Sequence, residues 1–258
     1  MPVLHLLEKC IDGFIAATPR EKPEKSLVDN SCLIAHRGAH DKKSRIIENT
    51  DSAFARALSL GCYGIELDVH ATKDGVLVVN HDPTLKRLWH KNEAIAELPF
   101  KTLRQLTPEI PSLDEVVARY GKKLHLFIEL KAPFHAGMQL NDALKPLNAS
   151  TDYHLLSLDE PLFTELNLFP REVMLLVAVH NNVSRFSTLC LEKNYGGVLG
   201  HYLLLTNRKL NELINAQKAV GVGMIDSKFG LYRELNRGMQ WLFSNQVERV
   251  TQCLRDIK

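Results

Sequence analysis

The chain has 258 residues, enough for one large domain such as an α/β barrel or for two small domains. Its 32 basic and 30 acidic residues give a net charge of +2, which offers no electrostatic reason to expect a nucleic-acid partner. The five cysteines are scattered and include no closely spaced pair. This pattern argues against a zinc site or a disulfide framework and favours a reduced, cytoplasmic protein.

The first 30 residues form a segment of their own. The stretch VLHLLEKCIDGFIAA places apolar residues at helical spacing, and charged residues interrupt it. It therefore predicts an amphipathic helix rather than a signal peptide or a membrane span. Residues 18–30 contain two prolines and mixed charges, which is typical of a linker. We predict that this helix and linker pack on a main domain of residues 31–258, and peripheral membrane contact is the alternative role of the helix.

The first predicted strand of the main domain is short and apolar. It covers residues 32–35 and ends at His36 and Arg37, where Gly38 allows a tight turn. Both side chains are therefore expected at the carboxyl end of the strand. A helical pattern follows the sequence ENT at residues 48–50, in which an asparagine or a threonine can cap the helix.

The second predicted strand carries two carboxylates inside an apolar run. Glu66 and Asp68 are two residues apart, so on a strand both side chains point to the same side. Adjacent carboxylates repel each other unless a cation lies between them. Oxygen ligands suit Mg²⁺ or Ca²⁺, so the pattern predicts a site for one of these cations.

A turn and a second apolar run follow and end at His81. From about residue 83 to 111 the pattern is irregular, and we predict a small lobe inserted after the second strand. A helix then precedes the strand LHLFIELK, in which Glu129 and Lys131 share a face. This strand adds a third carboxylate at a strand end.

The remainder of the chain alternates between helical and strand patterns. Eight short apolar strands interleaved with helices predict the α/β class and a closed (β/α)₈ TIM barrel. An open doubly wound sheet is the alternative. It is disfavoured because no glycine-rich phosphate loop follows the first strand, which also argues against a nucleotide cofactor.

A barrel of this kind brings the carboxyl ends of its strands to one mouth, where active sites lie. The candidate residues at or near this mouth are His36, Arg37, Glu66, Asp68, His81, Glu129 and Lys131. Three carboxylates, a divalent cation and two basic side chains leave one positive charge in total. A phosphodiester monoanion neutralises that charge, and an arginine is a suitable donor to its oxygens.

Five separated motifs, IAHRG, ENT, GIELDVHATKDGVLVVNHDPTL, IPSLDEVV and FIELK, resemble in order and spacing the glycerophosphodiester phosphodiesterase family. The resemblance is strong over residues 33–131. It implies hydrolysis of deacylated phospholipids to glycerol 3-phosphate and an alcohol with one bound divalent cation. It further implies that Glu66, Asp68 and Glu129 are metal ligands, that His36 and His81 are the acid and base, and that Arg37 and Lys131 bind the phosphate.

The sequence departs from the family pattern in three places. Ile47 replaces the usual proline before ENT, and residues 243–245 read FSN where Thr-Asp is usual. Residues 223–226 read GMID where the family typically has Trp-Thr-Val-Asn. Because Gly223 cannot supply the flat wall of a tryptophan, we predict a wider pocket that tolerates an acylated group, with Met224 able to fill part of the space.

Two other functions remain open. One is a lysophospholipase-D-like phosphodiesterase that acts on lipid substrates, and the other is a catalytically weak barrel that binds phosphodiesters. His40 and His70 are interpreted as surface residues or as neighbours of the site. His180 and His201 follow apolar runs at strand ends, where contact with substrate at the rim is a further hypothesis.

Overall fold

The computed structural model describes residues 2–179, 182–202 and 205–257, with the side chains of residues 2–9 left out. Eight parallel strands pair in the order β1, β9, β8, β7, β6, β5, β4, β2, and pairing of β1 with β2 closes the barrel. This confirms the predicted (β/α)₈ barrel. The barrel strands are β1 (Cys32–Ala35), β2 (Gly64–Ala71), β4 (His125–Leu130), β5 (Tyr153–Ser157), β6 (Met174–Ala178), β7 (Gly197–His201), β8 (Ala219–Gly223) and β9 (Trp241–Ser244).

A ninth strand, β3 (Leu77–Val79), lies outside the barrel and was not among the eight predicted strands. It pairs antiparallel with the end of β2 through a tight turn, in which Gly75 has a positive φ of 81°. The backbone N–H of Asn80, just after β3, donates to the carbonyl of Asp68 at 3.0 Å. This hairpin therefore returns the chain to the mouth of the barrel, next to the carboxylates.

Helices lie between the strands, as the sequence pattern predicts. Their starts follow local capping rules: the Thr50 hydroxyl accepts from the N–H of Ala53, and Ser112 forms a reciprocal capping box with Glu115. The α-helices are α1 (Pro2–Ala17), α2 (Lys25–Asp29), α3 (Asp51–Ser59), α4 (Lys86–Trp89), α5 (Phe100–Leu106), α6 (Leu113–Tyr120), α7 (Gly137–Leu144), α8 (Glu160–Glu165), α9 (Val183–Glu192), α10 (Asn207–Asn215), α11 (Lys228–Asn236) and α12 (Val247–Arg255), and the 3₁₀ helices cover Ile95–Glu97 and Arg171–Val173.

Two segments lie at the edge of the barrel. Helix α1 packs against α11, and the Tyr202 hydroxyl donates to the Asp12 carboxylate. The segment with α4 and α5 buries a small apolar cluster of its own, centred on Leu85, Ile95 and Leu103. The division into a terminal segment, a barrel domain and a lobe stays an interpretation. Among the described residues, none of the helices combines the length and hydropathy needed to span a membrane.

The side chains of the barrel interior alternate along each strand. On β4 the residues His125, Phe127 and Glu129 are two apart and therefore share the inward face. Phe127 packs with Ile34, Leu156, Leu175, Leu199 and Phe243 in a cluster inside the barrel, separate from the larger apolar layer between barrel and helices. This packed layer places Glu129 above it, at the carboxyl mouth.

Candidate active site at the carboxyl mouth

Three carboxylates from two adjacent strands lie together at the barrel mouth. Asp68 on β2 is the register partner of Glu129 on β4, and Glu66 lies one inward position earlier on β2. One oxygen from each of the three lies within 4.8 Å of the others. All three residues are buried, with exposures of 2% for Glu66, 1% for Asp68 and 8% for Glu129. The strand spacing thus gives the arrangement predicted from sequence.

Two basic side chains neutralise part of this negative charge. The Lys131 ammonium lies 2.6 Å from Asp68 Oδ1 and also contacts Glu129. The Arg37 guanidinium lies 3.3 Å from Asp68 Oδ2, and the backbone N–H of Arg37 donates to Glu66 Oε2 at 3.0 Å. Burial raises the pKa of Asp68, but Lys131 and Arg37 outweigh it and hold that pKa below its usual value. Asp68 is therefore the best paired of the three acids.

Glu66 has the opposite environment. Its Oε1 is buried and has no hydrogen-bond partner among the described residues. Burial, followed by the charges of Asp68 and Glu129, raises the pKa of Glu66 well above its usual value. An unpaired carboxylate oxygen of this kind is costly to bury unless a cation or a proton occupies the space beside it.

The geometry fits a hard divalent cation. Oxygen ligands lie about 2.0–2.6 Å from Mg²⁺ or Ca²⁺, so two ligands of one ion are separated by at most about 5 Å. The 4.8 Å limit found for Glu66, Asp68 and Glu129 lies within this range. The donors are all carboxylate oxygens, and Glu66 has an oxygen without a hydrogen-bond partner among the described residues. These three residues could hold a metal ion.

His36 follows β1 and lies directly beside the carboxylates. Its Nδ1–H donates to Asn245 Oδ1 at 2.7 Å, and its Nε2 lies 3.6 Å from Glu66 Oε2. Asn245 is itself fixed, because its backbone N–H donates to the Asp226 carboxylate at 2.8 Å. Burial and the Arg37 charge lower the pKa of His36 to about 4. The hydrogen bond of Nδ1 to Asn245 orients the ring with Nε2 towards the carboxylates.

His81 follows the β3 hairpin and is held by different residues. Its Nδ1–H donates to Asp82 Oδ1 at 3.0 Å, and its backbone carbonyl accepts from His70 Nε2 at 3.1 Å. It lies within electrostatic reach of Asp68 and Glu129. Because Nδ1 is occupied, Nε2 is the nitrogen that can exchange a proton with a ligand.

An apolar cavity of about 150 Å³ extends from the carboxylates across the rest of the mouth. Among the described residues that line it, the polar ones are His36, Glu66, Glu129 and His201, and the others are Leu156, Val177, Ala178, Val179, Leu199, Gly200, Gly223, Met224 and Phe243. The two residues that replace the family's usual Trp-Thr therefore do lie at this cavity. A Cβ on Gly223 would lie 3.3 Å from Phe243 Cβ, so this strand end approaches its neighbour closely.

Sequence reasoning did not assign roles to several residues that hold the site. The Asn49 amide donates to Asp68 Oδ2 at 2.8 Å, and Glu48 accepts from Arg37 Nη1 at 2.9 Å. Both belong to the ENT motif, so the motif itself was an available signal. Asn245 and Asp226 lie in the stretches that depart from the family pattern, and nothing local in the sequence indicates that Asn245 bonds His36 or that Asp226 bonds Asn245.

The secondary histidine predictions have mixed outcomes. His40 Nε2 donates to Asn245 Oδ1 at 3.3 Å, and His70 supports His81, so both are neighbours of the site. His201 lines the cavity. His180 lies outside the described residues.

The fold and the cluster at its mouth define a (β/α)₈-barrel protein with a buried acidic cluster that could hold a cation. A sequence profile of the glycerophosphoryl diester phosphodiesterase family matches residues 36–169, just over half of the chain. The chain belongs to this family.

Individual relatives agree with the assignment. A glycerophosphodiester phosphodiesterase of Caldanaerobacter subterraneus is 40% identical over 112 residues, which are 39% of this chain and 45% of that protein. Human glycerophosphodiester phosphodiesterase 1 is 33% identical over 134 residues, 46% of this chain and 38% of that protein. The matched region thus spans less than half of the length of these relatives.

Solved structures share the fold. A glycerophosphodiester phosphodiesterase from Thermotoga maritima superposes with a TM-score of 0.75 at 23% identity, covering 86% of this chain and 97% of that one. An Oleispira antarctica phosphodiesterase in complex with the product sn-glycerol-3-phosphate superposes with a TM-score of 0.73 at 20% identity, covering 87% and 96% of the two chains. At these sequence identities, the structural similarity establishes the barrel fold alone.

Proposed function

We propose that this protein hydrolyses glycerophosphodiesters to glycerol 3-phosphate and an alcohol with one bound Mg²⁺ or Ca²⁺. The observation that carries the proposal is the buried cluster of Glu66, Asp68 and Glu129, in which Glu66 Oε1 has neither a hydrogen bond nor an ion pair among the described residues. Family membership supports the reaction class, and the glycerol 3-phosphate complex of the Oleispira protein supports the product.

The three carboxylates are the proposed metal ligands. Their oxygen-only donor set favours Mg²⁺ or Ca²⁺ over softer ions. A bound divalent cation there supplies charge neutralisation and polarisation of the phosphoryl group. The protein contributes the rigid strands β2 and β4, which hold the carboxylates in register.

Arg37 and Lys131 are the proposed phosphate partners. Both lie close to the carboxylates, and each forms an ion pair with Asp68. These ion pairs hold the two cationic groups at the edge of the acidic cluster, where a phosphodiester monoanion would meet them. The guanidinium of Arg37 offers several N–H donors in one plane, which suits the oxygens of a phosphodiester.

His36 and His81 are the proposed acid and base. In the reaction a new phosphorus–oxygen bond forms to water or to the 2-hydroxyl of the glycerol, and the bond to the departing alcohol breaks. Attack by water gives glycerol 3-phosphate directly, whereas attack by the 2-hydroxyl gives a cyclic phosphodiester, whose bond to the 2-oxygen is then broken by water. One histidine takes the proton of the attacking hydroxyl, and the other gives a proton to the departing alcohol oxygen. Both rings have Nδ1 bonded to a fixed acceptor, so each has Nε2 available for this exchange.

The apolar cavity favours a second candidate substrate, a lysophospholipid. Its lining offers few polar groups outside the carboxylate cluster, so it suits an acyl arm better than the hydroxyls of a bare glycerol. In both cases the partner is a small phosphodiester.

All five cysteines are free thiols, which supports a reducing, cytoplasmic location for the protein.

Alanine variants of the two histidines test the proposal. We expect His36→Ala and His81→Ala each to lower kcat for glycerophosphocholine by about 10²-fold or more, with an unchanged thermal midpoint. His135→Ala is the matched control, because this histidine is exposed and pairs only with Glu165 among the described residues. Near-normal release of glycerol 3-phosphate by either active-site variant would contradict the assignment of that histidine. A wild type that binds the diester without turnover would indicate a binding barrel.

A further inference from the structure

Arg87 joins two carboxylates that come from different loops of the site. It belongs to the short helix α4 in the segment between β3 and α6. Its Nη2 donates to Glu48 Oε1 at 2.6 Å, and its Nε donates to Asp82 Oδ2 at 2.5 Å. Glu48 lies in the loop after β1, and Asp82 lies in the loop after β3.

Each of these carboxylates also contacts a candidate active-site residue. Glu48 Oε1 accepts from Arg37 Nη1 at 2.9 Å, and Asp82 Oδ1 accepts from His81 Nδ1 at 3.0 Å. The five groups thus form one continuous chain of hydrogen bonds, with Arg87 at its centre. At one end lies Arg37, the proposed hydrogen-bond donor to the phosphate. At the other end lies His81, which is proposed to act as acid or base.

The charges and burial along this chain favour a role beyond a surface ion pair. Glu48 is only 14% exposed and lies between two guanidinium groups. Burial raises the pKa of Glu48, but the hydrogen bond from Arg87 and the charge of Arg37 lower it to about 2. Glu48 divides its single negative charge between Arg37 and Arg87. It therefore neutralises Arg37 only in part, and Arg37 keeps positive charge for an anionic ligand.

We infer that Arg87 is a positioning residue for the proposed reaction: it fixes Asp82 and Glu48 together, and through them sets the orientation of His81 and Arg37 towards one phosphodiester. The inference rests on the proposed function. An arginine suits this role because its planar fork bonds two acceptors in fixed directions, whereas a lysine offers a single ammonium group. The lobe thereby contributes to the site through Arg87.

The structure provides a matched control within the same lobe. Arg104 on α5 also bonds a carboxylate with two donors, Nη1 and Nη2 to Glu115 at 3.1 and 2.6 Å, and among the described residues neither member of this pair bonds a candidate active-site residue. Arg87 is 45% exposed and the lobe keeps its apolar cluster without it, so Arg87→Ala is expected to fold. Both Arg87→Ala and Arg104→Ala are expected to keep the thermal midpoint within about 2 °C of wild type.

The first readout is turnover of glycerophosphocholine. We expect Arg87→Ala to lower kcat about tenfold or more with a smaller change in KM, Arg87→Lys to recover part of the loss, and Arg104→Ala to match wild type. Combining Arg87→Ala with Asp82→Ala should lose less than the product of the two single losses. A kcat for Arg87→Ala within twofold of wild type, or an equal loss in Arg104→Ala, would overturn the inference.

The second readout needs no substrate and therefore separates this inference from the proposed function. Nitrogen-15 NMR of the histidine rings, at a pH where they are neutral, reports which nitrogen carries the proton. We expect His81 to be protonated on Nδ1 in wild type and in Arg104→Ala, and to become a mixture of tautomers in Arg87→Ala, as in Asp82→Ala. An unchanged His81 tautomer in Arg87→Ala would refute the positioning role, whether or not wild type turns over the diester.

Discussion

Replacement of Gly223 by tryptophan tests whether the open side of the cavity sets substrate preference. The indole would extend from the end of β8 into the apolar cavity beside Met224, where we place the acyl arm of a lysophospholipid. Each buried methylene contributes about 0.8 kcal/mol, so displacing two or three of them loses about 2 kcal/mol, or about 30-fold in kcat/KM. The bare glycerophosphocholine has no such arm. We therefore predict that Gly223→Trp lowers the kcat/KM ratio of lysophosphatidylcholine to glycerophosphocholine by about 10- to 100-fold.

The assay compares kcat/KM for the two substrates in wild type, Gly223→Trp and Gly223→Ala. The alanine variant is the control for backbone effects, because it adds the Cβ that lies 3.3 Å from Phe243 Cβ without adding a wall. Its substrate ratio should stay within about threefold of wild type. An unchanged ratio in Gly223→Trp, or a wild type that rejects the acylated substrate as strongly as the tryptophan variant, would refute the reasoning.

Two further predictions concern charge and stability. Glu66 is the poorly paired acid and Asp68 the well paired one. In the metal-free protein, Glu66→Gln should therefore keep or raise the thermal midpoint, and Asp68→Asn should lower it. Calorimetry should show weaker Mg²⁺ and Ca²⁺ binding in both variants. A higher thermal midpoint in Asp68→Asn than in Glu66→Gln would contradict the conclusion that Glu66 carries the unpaired charge. Burial lowers the pKa values of His125 and His154 to about 4 and about 3. As the pH falls from 7 to 5, these histidines therefore bind protons in the unfolded chain but not in the folded chain. The free energy of unfolding should fall by about 2 kcal/mol per histidine over this range. Urea unfolding at both pH values should show a smaller loss in His154→Phe and the wild-type loss in His135→Ala; equal losses in all three would contradict the assignment.

The barrel and its acidic cluster could be predicted because their signals are local. Alternation of strands and helices is visible in short windows, and two carboxylates two residues apart share a face on any strand. Even the contact of Glu129 with Asp68 follows once parallel strands are placed side by side. These regularities depend on backbone geometry more than on particular tertiary contacts.

The remaining parts depend on contacts between distant residues. His36 and Asn245 are separated by 209 positions in sequence, and no local pattern indicates their hydrogen bond. Arg87 lies in an irregular segment whose packing cannot be inferred from periodicity. The buried pair of His125 and His154, bonded at 2.8 Å inside the barrel, is also hidden because each histidine interrupts an otherwise ordinary apolar strand. The sequence indicates only that neighbouring carboxylates repel each other, whereas the ion pairs of the folded chain neutralise Asp68 and leave Glu66 Oε1 without a partner among the described residues.

The most direct test of the proposed chemistry is release of glycerol 3-phosphate from glycerophosphocholine before and after removal of divalent cations. The protein is treated with excess EDTA, dialysed, and assayed alone and with added Mg²⁺ or Ca²⁺. We predict that activity falls by about 10²-fold or more after dialysis and that at least one of the two cations restores it, because Glu66, Asp68 and Glu129 would hold the ion. Full activity of the dialysed protein in excess EDTA would contradict the account, and so would the absence of glycerol 3-phosphate under every cation condition.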